Sequence, residues 1–594
     1  MANLSQIKRE KMLRFLETLK EQHSDDESLI ALNQIEKELT SKKYGLVWEE
    51  HEEEVDVKMQ THIPVFTEDE GREIVGNPES EDYNFLLEGD NLHSLKLLEK
   101  THKGKIDVIY IDPPYNTRNK DFKYDDNYVE KEDAFRHSKW LSFISKKLVI
   151  ARKILKTSGV IFISIDDYEY AELQLLCDEI FGNINYITTF VWKVTGHTDN
   201  QDDITKNHEY ILCYAKNKFF TKINSIVDPN IGEESKVNRN FAENSITKNG
   251  YKNPPSIIEL PIGFPCEAEC LHRDKMEAFD SFYKEATENK YISREMSKKY
   301  KAVYPIPIDD MDVEDYKLTH PCRVYSGWMN NGKLKKFISN KFQPIEDKGT
   351  QVKFYLSKNG VIYYRRDNRA SHYVQTVLEN MGTTETNKYM LENMGFSFDY
   401  PKPIELIKYL LSLYAPKDAL ILDFFAGSGT TGHAVMAHNL DTGDCWKYIL
   451  CTNNENSICE EITYPRIKTV ITGKRIDGTE YSEGIPANLK YYRTDFVAKD
   501  SEDLYDDLLN HIIEMIQLKY GVKVDNKKYV IIMDDDEMDA FEEDFEQYSD
   551  LKAVFLNQDV LLSTSQEQLL AEINTFIIPD CYFDFELREA GELW

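Results

Sequence analysis

The run Asp112-Pro113-Pro114-Tyr115 carries the strongest chemical signal in the sequence. It follows the apolar run Ile106–Ile111, which is typical of a buried strand. Two prolines fix the backbone and remove two N–H donors, so the Asp112 carboxylate and the Pro113 carbonyl become acceptors on a rigid loop. One acceptor for each hydrogen of an exocyclic amino group would make its nitrogen nucleophilic, and Tyr115 offers a ring on which an extruded base can stack. The segment predicts chemistry at the amino group of a base, with a rigid turn as the alternative.

A second segment is rich in glycine: Asp423-Phe424-Phe425-Ala426-Gly427-Ser428-Gly429-Thr430-Thr431. It ends the apolar run Ala419–Asp423 and opens a predicted helix, Thr431–Ala437. Glycines at such a turn let a ligand approach the backbone, and the helix N-terminus offers unpaired N–H groups. The pattern predicts a nucleotide-like ligand, with a tight turn that binds nothing as the alternative. Because no Gly-Lys-Ser/Thr follows, it is not a P-loop.

An acidic side chain follows the next apolar run, Lys447–Thr452. Glu455 comes 32 positions after Asp423, where a doubly wound fold places the acceptor for a ribose hydroxyl. A solvated loop residue is the alternative.

Short apolar runs alternate with helical stretches over much of the chain, which predicts an α/β fold with a parallel sheet. The predicted strands are Asn84–Glu88, Ile106–Ile111, Val160–Ile165, Ala419–Asp423 and Lys447–Thr452. Leu92–Glu99 and Phe135–Leu155 are predicted helices. Tyr186–Val194 and Glu209–Tyr214 are predicted to form an antiparallel pair at the sheet edge.

Five domains follow from these patterns: a helical segment over 1–60, two parts of one core over 61–216 and 386–492, an insertion over 217–385, and an acidic module over 493–594. The first segment has Ile7, Met12, Phe15, Leu16 and Leu19 at roughly helical spacing. The last module contains the predicted strand Tyr529–Met533. Its acidic run Asp534–Glu537 is more typical of a solvated loop than of a cation site.

The net charge of −32 argues against a nucleic-acid partner until its distribution is considered. Residues 501–594 contribute −18 and residues 1–80 contribute −9. By contrast, Pro321–Ala370 has 11 Lys and Arg against three acidic residues. A local positive surface is therefore predicted inside the insertion. Its proposed DNA contacts are Lys333, Lys335, Lys336, Arg365, Arg366 and Arg369.

The order of these motifs resembles that of the amino-methyltransferases that modify adenine N6 or cytosine N4 in DNA. The catalytic segment comes first and the glycine-rich segment last, as in their permuted β class. Further segments are similar to the modification subunit of type III restriction-modification systems: Gly89–His93, Tyr110–Thr117, Phe135–Trp140, Phe162–Asp167, His208–Tyr210 and Leu450–Asn456. The resemblance covers about residues 44 to 490.

This resemblance implies a permuted, doubly wound Rossmann-like methyltransferase core and an S-adenosylmethionine cofactor. It implies transfer to a flipped adenine, double-stranded DNA as substrate, a homodimer and a separate helicase–nuclease subunit as partner. A solitary enzyme, a scaffold for restriction and a cytosine-N4 enzyme stay open, although Asp112 favours adenine over the serine common in the cytosine branch.

The resemblance also implies roles for single residues. Asp90 would approach the adenosyl part of the cofactor, and Lys402 with Pro403 would close over its methionine part. Glu455 would take the ribose. The pocket would be lined by Asp423, Phe425, Ala426, Gly427, Gly429 and Thr430. Alternatively, Asp90 caps a helix and Lys402 is a surface lysine.

Two positions depart from the family pattern. Arg118 stands where glycine is usual, and Phe424 stands where many relatives have proline. Arg118 could hold a phosphate beside the flipped base.

Other features predict a cytosolic bacterial protein without a metal. The sequence begins without an apolar leader, and its nine cysteines fit reduced thiols. Cys266, Cys270 and His272 have no second ligand pair at zinc spacing.

Overall fold

The computed structural model describes residues 12–20, 26–40, 48, 51, 53–117, 123–124, 127–128, 136–194, 206–232, 234–235, 239, 241–367, 373–578 and 582. The chain consists of two compact units. The first comprises Met1–Asn224 and Gln375–Trp594, and the second is Ser225–Val374. Among the described helices, none has both the length and the apolar character needed to cross a membrane.

Within the described residues, the first unit opens with six helices and nine strands. The helices are α1 (12–20), α2 (Asp26–Thr40), α3 (Glu54–Thr61), α4 (Asn91–His102), α5 (Arg136–Ile154) and α6 (Tyr170–Cys177). The strands are β1 (His62–Glu68), β2 (Ile74–Val75), β3 (Asn84–Glu88), β4 (Ile106–Ile111), β5 (Lys123–Tyr124), β6 (Asn127–Tyr128), β7 (Leu155–Ile165), β8 (Tyr186–Lys193) and β9 (His208–Ala215).

The second unit is built mainly from short antiparallel strands. Its strands are β10 (Ala242–Ser245), β11 (Pro255–Leu260), β12 (Leu271–Arg273), β13 (Ile306–Pro307), β14 (Met311–Glu314), β15 (Lys317–Leu318), β16 (Cys322–Gly327), β17 (Ile345–Asp347), β18 (Thr350–Leu356) and β19 (Ile362–Arg366). Its helices are α7 (Phe279–Asn289), α8 (Arg294–Lys299) and α9 (Asn331–Ser339). The strands form three sheets, in the orders β10-β19-β18-β17, β11-β16-β13 and β12-β14-β15.

The chain then completes the first unit. Its remaining strands are β20 (Val377–Leu378), β21 (Leu420–Asp423), β22 (Lys447–Thr452), β23 (Asn488–Ala498), β24 (Tyr529–Ile532), β25 (Ala553–Asn557) and β26 (Thr575–Ile578). Its remaining helices are α10 (Thr384–Met394), α11 (Ile404–Ser412), α12 (Thr430–Thr442), α13 (Tyr464–Thr472), α14 (Leu504–Leu509), α15 (Ile512–Tyr520), α16 (Asp535–Glu543) and α17 (Thr564–Ala571).

One sheet organises the first unit, with the strand order β1-β23-β3-β22-β21-β4-β7-β9-β8-β20 and β2 beside β23. The six strands from β23 to β7 are parallel, and β9 pairs antiparallel to both β7 and β8. Every residue of β4 is buried, so both faces of the sheet are covered there. This is a doubly wound, Rossmann-like α/β core.

The sequence order of the strands is permuted relative to their order in the sheet. β21 lies between β22 and β4, although β4 precedes it by about 300 residues. The carboxyl ends of parallel strands meet at one edge, so the segments after β3, β4, β21 and β22 share that edge. The permuted Rossmann-like fold class predicted from the sequence is confirmed.

A smaller parallel sheet, β24-β25-β26, stands near the C-terminus. Val530 and Ile532 face a small apolar cluster with α16 and α17, whereas Phe555 belongs to the main core. Neighbouring residues of a strand point to opposite faces of the sheet. One face of this sheet therefore packs against α16 and α17 in the small apolar cluster, and the other face packs against the main core.

The predicted strands are all present, most of them with small shifts, but β7 begins at Leu155 and not at the predicted Val160. β3, β4 and β22 have the predicted bounds, β21 begins one residue later, and the predicted antiparallel pair is β8 and β9. The helix predicted over Phe135–Leu155 ends at Ile154, because Leu155 pairs with Ile106 at the start of β7. Phe135 and Ile7 lie outside the described residues.

Three predicted domain boundaries fall at different places in the structure. The insertion was predicted over 217–385, but Asn224 bonds to Leu413 and β20 pairs with β8, so both flanks belong to the first unit. The boundary between 492 and 493 cuts through β23, which pairs with β3 and with β1. Sequence patterning missed these three boundaries because contacts between distant segments set them. The boundary between residues 60 and 61 stays a prediction.

Candidate active site

The predicted catalytic loop is held from both sides. Trp140 on α5 donates from its indole nitrogen to the Pro114 carbonyl at 2.7 Å. Asn116, whose φ of 56° reverses the chain, donates to a carboxylate oxygen of the buried Glu169 at 2.5 Å. Among the described residues, none donates to the Pro113 carbonyl. The loop is therefore fixed, and the predicted second acceptor stays available.

The side chains of Asp112 and Tyr115 meet two groups from distant parts of the chain. The Tyr115 hydroxyl lies 2.8 Å from Oδ1 of Asp112 and 2.9 Å from Oε2 of Glu209. The Lys402 ammonium lies 2.8 Å from that hydroxyl, 3.0 Å from Oδ2 of Asp112 and 3.1 Å from Oε2 of Glu209. We call Asp112, Tyr115, Glu209 and Lys402 the carboxylate cluster.

Burial and charge act in opposite directions within the carboxylate cluster. Burial raises the pKa of Asp112, although the Lys402 ammonium opposes the shift. Burial alone would lower the pKa of Lys402, but Asp112 and Glu209 outweigh it and leave that pKa above its usual value. Burial also raises the pKa of Tyr115 well above the ordinary range. Lys402 therefore stays charged and Tyr115 keeps its proton near neutral pH.

Lys402 was predicted to close over the methionine part of a cofactor or to be a surface lysine. Its side chain is only 9% exposed, which contradicts the surface alternative. Its ammonium contacts the Asp112 carboxylate, and its role beside the cofactor stays a prediction. The sequence could not show this, because the contact joins residues that are far apart in the chain.

The glycine-rich loop lies beside the catalytic loop, since β21 and β4 are neighbours. Asp423 accepts from the Phe425 backbone N–H at 3.0 Å and from the Thr431 hydroxyl at 2.5 Å, which closes the turn. Burial raises the pKa of Asp423 to about 7. Asp423 thus holds the loop from within.

The two glycines of the loop adopt left-handed backbone conformations, with φ of 49° at Gly427 and 77° at Gly429. A Cβ at Gly429 would lie 3.2 Å from Cγ2 of Thr463. Thr430 begins α12, so the backbone N–H groups of its first turn adjoin the loop. Phe425 is half-buried and its ring lies 5.8 Å from that of Phe143, while Ala426 is buried. The loop can admit a ligand close to its backbone.

Arg466 on α13 was missed by the sequence analysis, although it supports this loop. Its guanidinium donates to the Ser428 carbonyl at 3.1 Å and to the Thr430 hydroxyl at 2.8 Å. Thr463 donates to the Gly427 carbonyl at 2.5 Å. Burial lowers the pKa of Arg466 to about 9. The sequence signal that could have identified Arg466 is its position, as a charged residue, among the apolar residues of α13.

Two other predicted cofactor residues stand at the same sheet edge. Asp90 accepts from the Leu92 backbone N–H at 2.7 Å and thereby caps α4, which confirms the alternative prediction that Asp90 is a helix cap. Glu455 follows β22 and is exposed in a short turn. The cofactor roles of both residues stay predictions.

The predicted DNA contacts of the second unit fall into two groups. Lys333 and Arg366 both pair with Asp347, at 2.6 Å for Lys333. Arg365 pairs with Asp367 at 2.7 Å and lies over the Phe241 ring. These pairs neutralise part of the predicted patch. Lys335 and Lys336 are exposed on α9.

Arg118 and Arg369 lie outside the described residues.

One group among the described residues has the composition of a metal site. His137, Glu169 and Glu172 each place a ligand atom within 4.8 Å of the others. His137 Nδ1 lies 2.8 Å from Glu169, and the Arg136 guanidinium donates to its other ring nitrogen at 3.3 Å. The Arg136 charge disfavours a cation there. The expectation of no metal stays a prediction.

Glu209 and Trp140 were not singled out from the sequence as site residues. Both occur in segments that carried the family resemblance, which was the only available signal. Each contacts the catalytic loop from another element, Glu209 from β9 and Trp140 from α5.

The chain is similar to known proteins over much of its length. The family model described as DNA methylase matches residues 106–464, more than half of the chain, and includes both the catalytic and the glycine-rich loops. The chain belongs to the DNA methylase family.

Three relatives illustrate this membership. The Mod subunit of the type III restriction-modification enzyme StyLTI from Salmonella typhimurium is 30% identical, over 72% of this chain and 62% of its own length. The EcoPI Mod subunit from Escherichia phage P1 is 31% identical, over 63% and 58%. The type II methyltransferase M.KpnI from Klebsiella pneumoniae is 29% identical, over 69% and 90%. The chain thus spans less than two thirds of the length of the two Mod subunits.

Proposed function

We propose that this chain is a site-specific DNA adenine-N6 methyltransferase that uses S-adenosylmethionine. The single observation that carries this proposal is the pairing of two loops at neighbouring strand ends. Asp112 and Pro113 follow β4, and the glycine-rich loop follows the adjacent β21. A group that activates an amine thus stands beside a loop whose backbone can approach a nucleoside.

The residues of the glycine-rich loop fit the cofactor. Gly427 and Gly429 keep the backbone open, and the start of α12 offers N–H groups. Asp90, Phe425, Ala426, Thr430 and Glu455 would complete the binding surface, with Glu455 on the ribose, as the family resemblance implies. When bound, S-adenosylmethionine supplies an electrophilic methyl group on a positively charged sulfur.

The catalytic loop acts by holding the target amine. Asp112 and the Pro113 carbonyl accept one N–H each, so the nitrogen lone pair is drawn out of the ring. Tyr115 provides a stacking face for the flipped base, a contact worth about 1–3 kcal/mol. With the cofactor bound, Asp112 and Pro113 would orient the amine nitrogen toward its methyl carbon, and the electron pair of the carbon–sulfur bond would stay with sulfur. The nitrogen loses one proton to solvent. Proximity and orientation supply most of the acceleration.

We further propose that the chain is the modification and site-recognition subunit of a type III restriction-modification system. The similarity to the Mod subunits supports this proposal. The second unit supports it as well, because its exposed Lys335 and Lys336 can neutralise DNA phosphates. A homodimer, a separate helicase–nuclease partner and a cytoplasmic location belong to the same proposal.

Methyl transfer to unmethylated DNA tests the proposal directly. The purified chain is incubated with labelled S-adenosylmethionine and bacterial DNA, and the DNA is digested to nucleosides. We expect N6-methyladenine, and we expect Asp112→Asn to lower the rate about 100-fold or more. N4-methylcytosine without N6-methyladenine would identify the cytosine enzyme. Site-specific binding without any transfer would identify a scaffold.

A further inference from the structure

Three acceptor oxygens surround the Lys402 ammonium inside the carboxylate cluster. An ammonium has three hydrogens, and three acceptors surround it: Asp112 Oδ2 at 3.0 Å, Glu209 Oε2 at 3.1 Å and Tyr115 Oη at 2.8 Å. Lys402 therefore does not depend on Asp112 alone. If an incoming amino group competes for Asp112, two partners still hold the ammonium.

The formal charge of the cluster differs from that of a simple ion pair. Two carboxylates share one ammonium, so the group carries one net negative charge. A pair of Asp112 and Lys402 without Glu209 would be neutral. In a partly buried site, where charges are weakly screened, this difference is large for any charge that develops nearby.

We infer that Glu209 is a positioning residue for methyl transfer, which shares the Lys402 ammonium so that the carboxylate cluster as a whole keeps one net negative charge beside the target amine. This inference rests on the proposed function. Methyl transfer moves one positive charge from sulfur onto the amine nitrogen, where it stays until a proton leaves. A site with one net negative charge stabilises that nitrogen, whereas a neutral pair stabilises it far less.

The position of Glu209 suits this role. It is the second residue of β9 and lies opposite the fully buried Trp192 of β8. The Trp192 ring lies 5.9 Å from the Lys402 ammonium. Glu209 is thus fixed on a packed strand pair and contacts Lys402 and Tyr115, through which it acts on Asp112.

The test compares a charged and a neutral replacement of Glu209. Glu209→Gln keeps the shape and removes the charge, whereas Glu209→Asp keeps the charge and shortens the side chain. We expect Glu209→Gln to lower kcat about 30-fold or more, with KM for DNA changed less than about threefold. We expect Glu209→Asp to keep kcat at least about tenfold above that of Glu209→Gln. If Glu209→Gln equals or exceeds Glu209→Asp, Glu209 serves only packing and the inference is overturned.

A matched control comes from a second buried ion pair in the same unit. Lys490 is 1% exposed and pairs with Glu68 of β1 at 2.5 Å. Glu68→Gln should lower stability and leave kcat unchanged. If Glu209→Gln does not fold, Glu209→Asn is compared with Glu209→Asp. These two replacements have side chains of equal length and differ only in charge. If the wild-type chain methylates adenine but the two Glu209 variants have equal kcat values, only the inference about Glu209 is refuted. If the wild-type chain transfers no methyl group, the proposed function is refuted and the inference fails with it.

Discussion

Lys402 donates from its ammonium to the hydroxyl of Tyr115 at 2.8 Å, although 287 positions separate the two residues. The contact joins the segment before α11 to the loop after β4, and it connects Tyr115 with a buried positive charge. Tyr115 thus has two groups that can contribute to function, its ring and its hydroxyl, and separate substitutions can distinguish their contributions.

Removing the ring of Tyr115 should weaken capture of the flipped base. Tyr115→Ala loses a stacking contact worth about 1–3 kcal/mol, whereas Tyr115→Phe keeps it and loses only the hydroxyl contacts. The measurement is the fluorescence of 2-aminopurine placed at the target position of a recognised site. We expect a reduced rise for Tyr115→Ala and a normal rise for Tyr115→Phe. Tyr389→Ala, at a tyrosine that is 66% exposed on α10, is the control. A normal rise for Tyr115→Ala would show that the ring does not hold the base.

The left-handed conformation of Gly429 should matter for the cofactor as well as for stability. Gly429→Ala puts a Cβ at a φ of 77° and 3.2 Å from Thr463. Gly443 is a matched control, because its φ is 74° and a Cβ there meets nothing within 4 Å. Both variants should lose about 1–2 kcal/mol of folding free energy. Only Gly429→Ala should weaken binding of S-adenosylmethionine, measured by titration calorimetry. Equal cofactor affinities would place the ligand elsewhere.

DNA binding should depend more on the exposed lysines of α9 than on the residues that form ion pairs. Lys335→Glu with Lys336→Glu removes two exposed cations, so the slope of log affinity against log salt should fall by about 2. Lys333→Ala should have a smaller effect, because Asp347 already neutralises Lys333. Binding is measured by fluorescence anisotropy between 50 and 200 mM salt, the range over which about 10³-fold changes are typical.

The control for this charge reversal uses lysines of the same unit on other helices. Lys284 on α7 and Lys298 on α8 are exposed. Their double change to Glu alters the net charge equally and should leave the slope nearly constant. An equal effect from both double variants would mean that the overall charge, not α9, sets the affinity.

Asp423 should make stability depend on pH in a defined direction. Its folded pKa, about 7, lies above the ordinary aspartate pKa of 3.8, so between those pH values the folded state binds a proton that the unfolded state has lost. Its favourable contribution is therefore complete below about pH 4 and is lost as the pH rises to 7. Three pKa units correspond to about 4 kcal/mol.

The variant Asp423→Asn removes this titration. The free energy of unfolding of the variant relative to the wild type should rise between pH 4 and pH 7, measured by urea unfolding without ligand. Lost hydrogen bonds to Thr431 and Phe425 shift the two curves by a constant amount. Curves that stay parallel over this range would contradict a raised pKa of Asp423.

The sequence by itself determined the parts of this protein that local patterns encode. Apolar runs gave the strands β3, β4, β21 and β22 within one residue, because a strand buried on both faces must be apolar throughout. The prolines after Asp112 and the glycines after Asp423 marked both loops, since each residue type restricts or frees the backbone locally.

Only the tertiary structure decided which side chains meet across those loops. Glu209, Lys402 and Arg466 reach the site from elements that are distant in sequence, and nothing in their neighbourhoods records the partner. The pairing of Lys333 and Arg366 with Asp347 likewise arises when α9, β17 and β19 pack together. Consecutive residues determine the local backbone preferences. The pairing of buried positive and negative side chains, by contrast, is determined only when folding brings distant residues together.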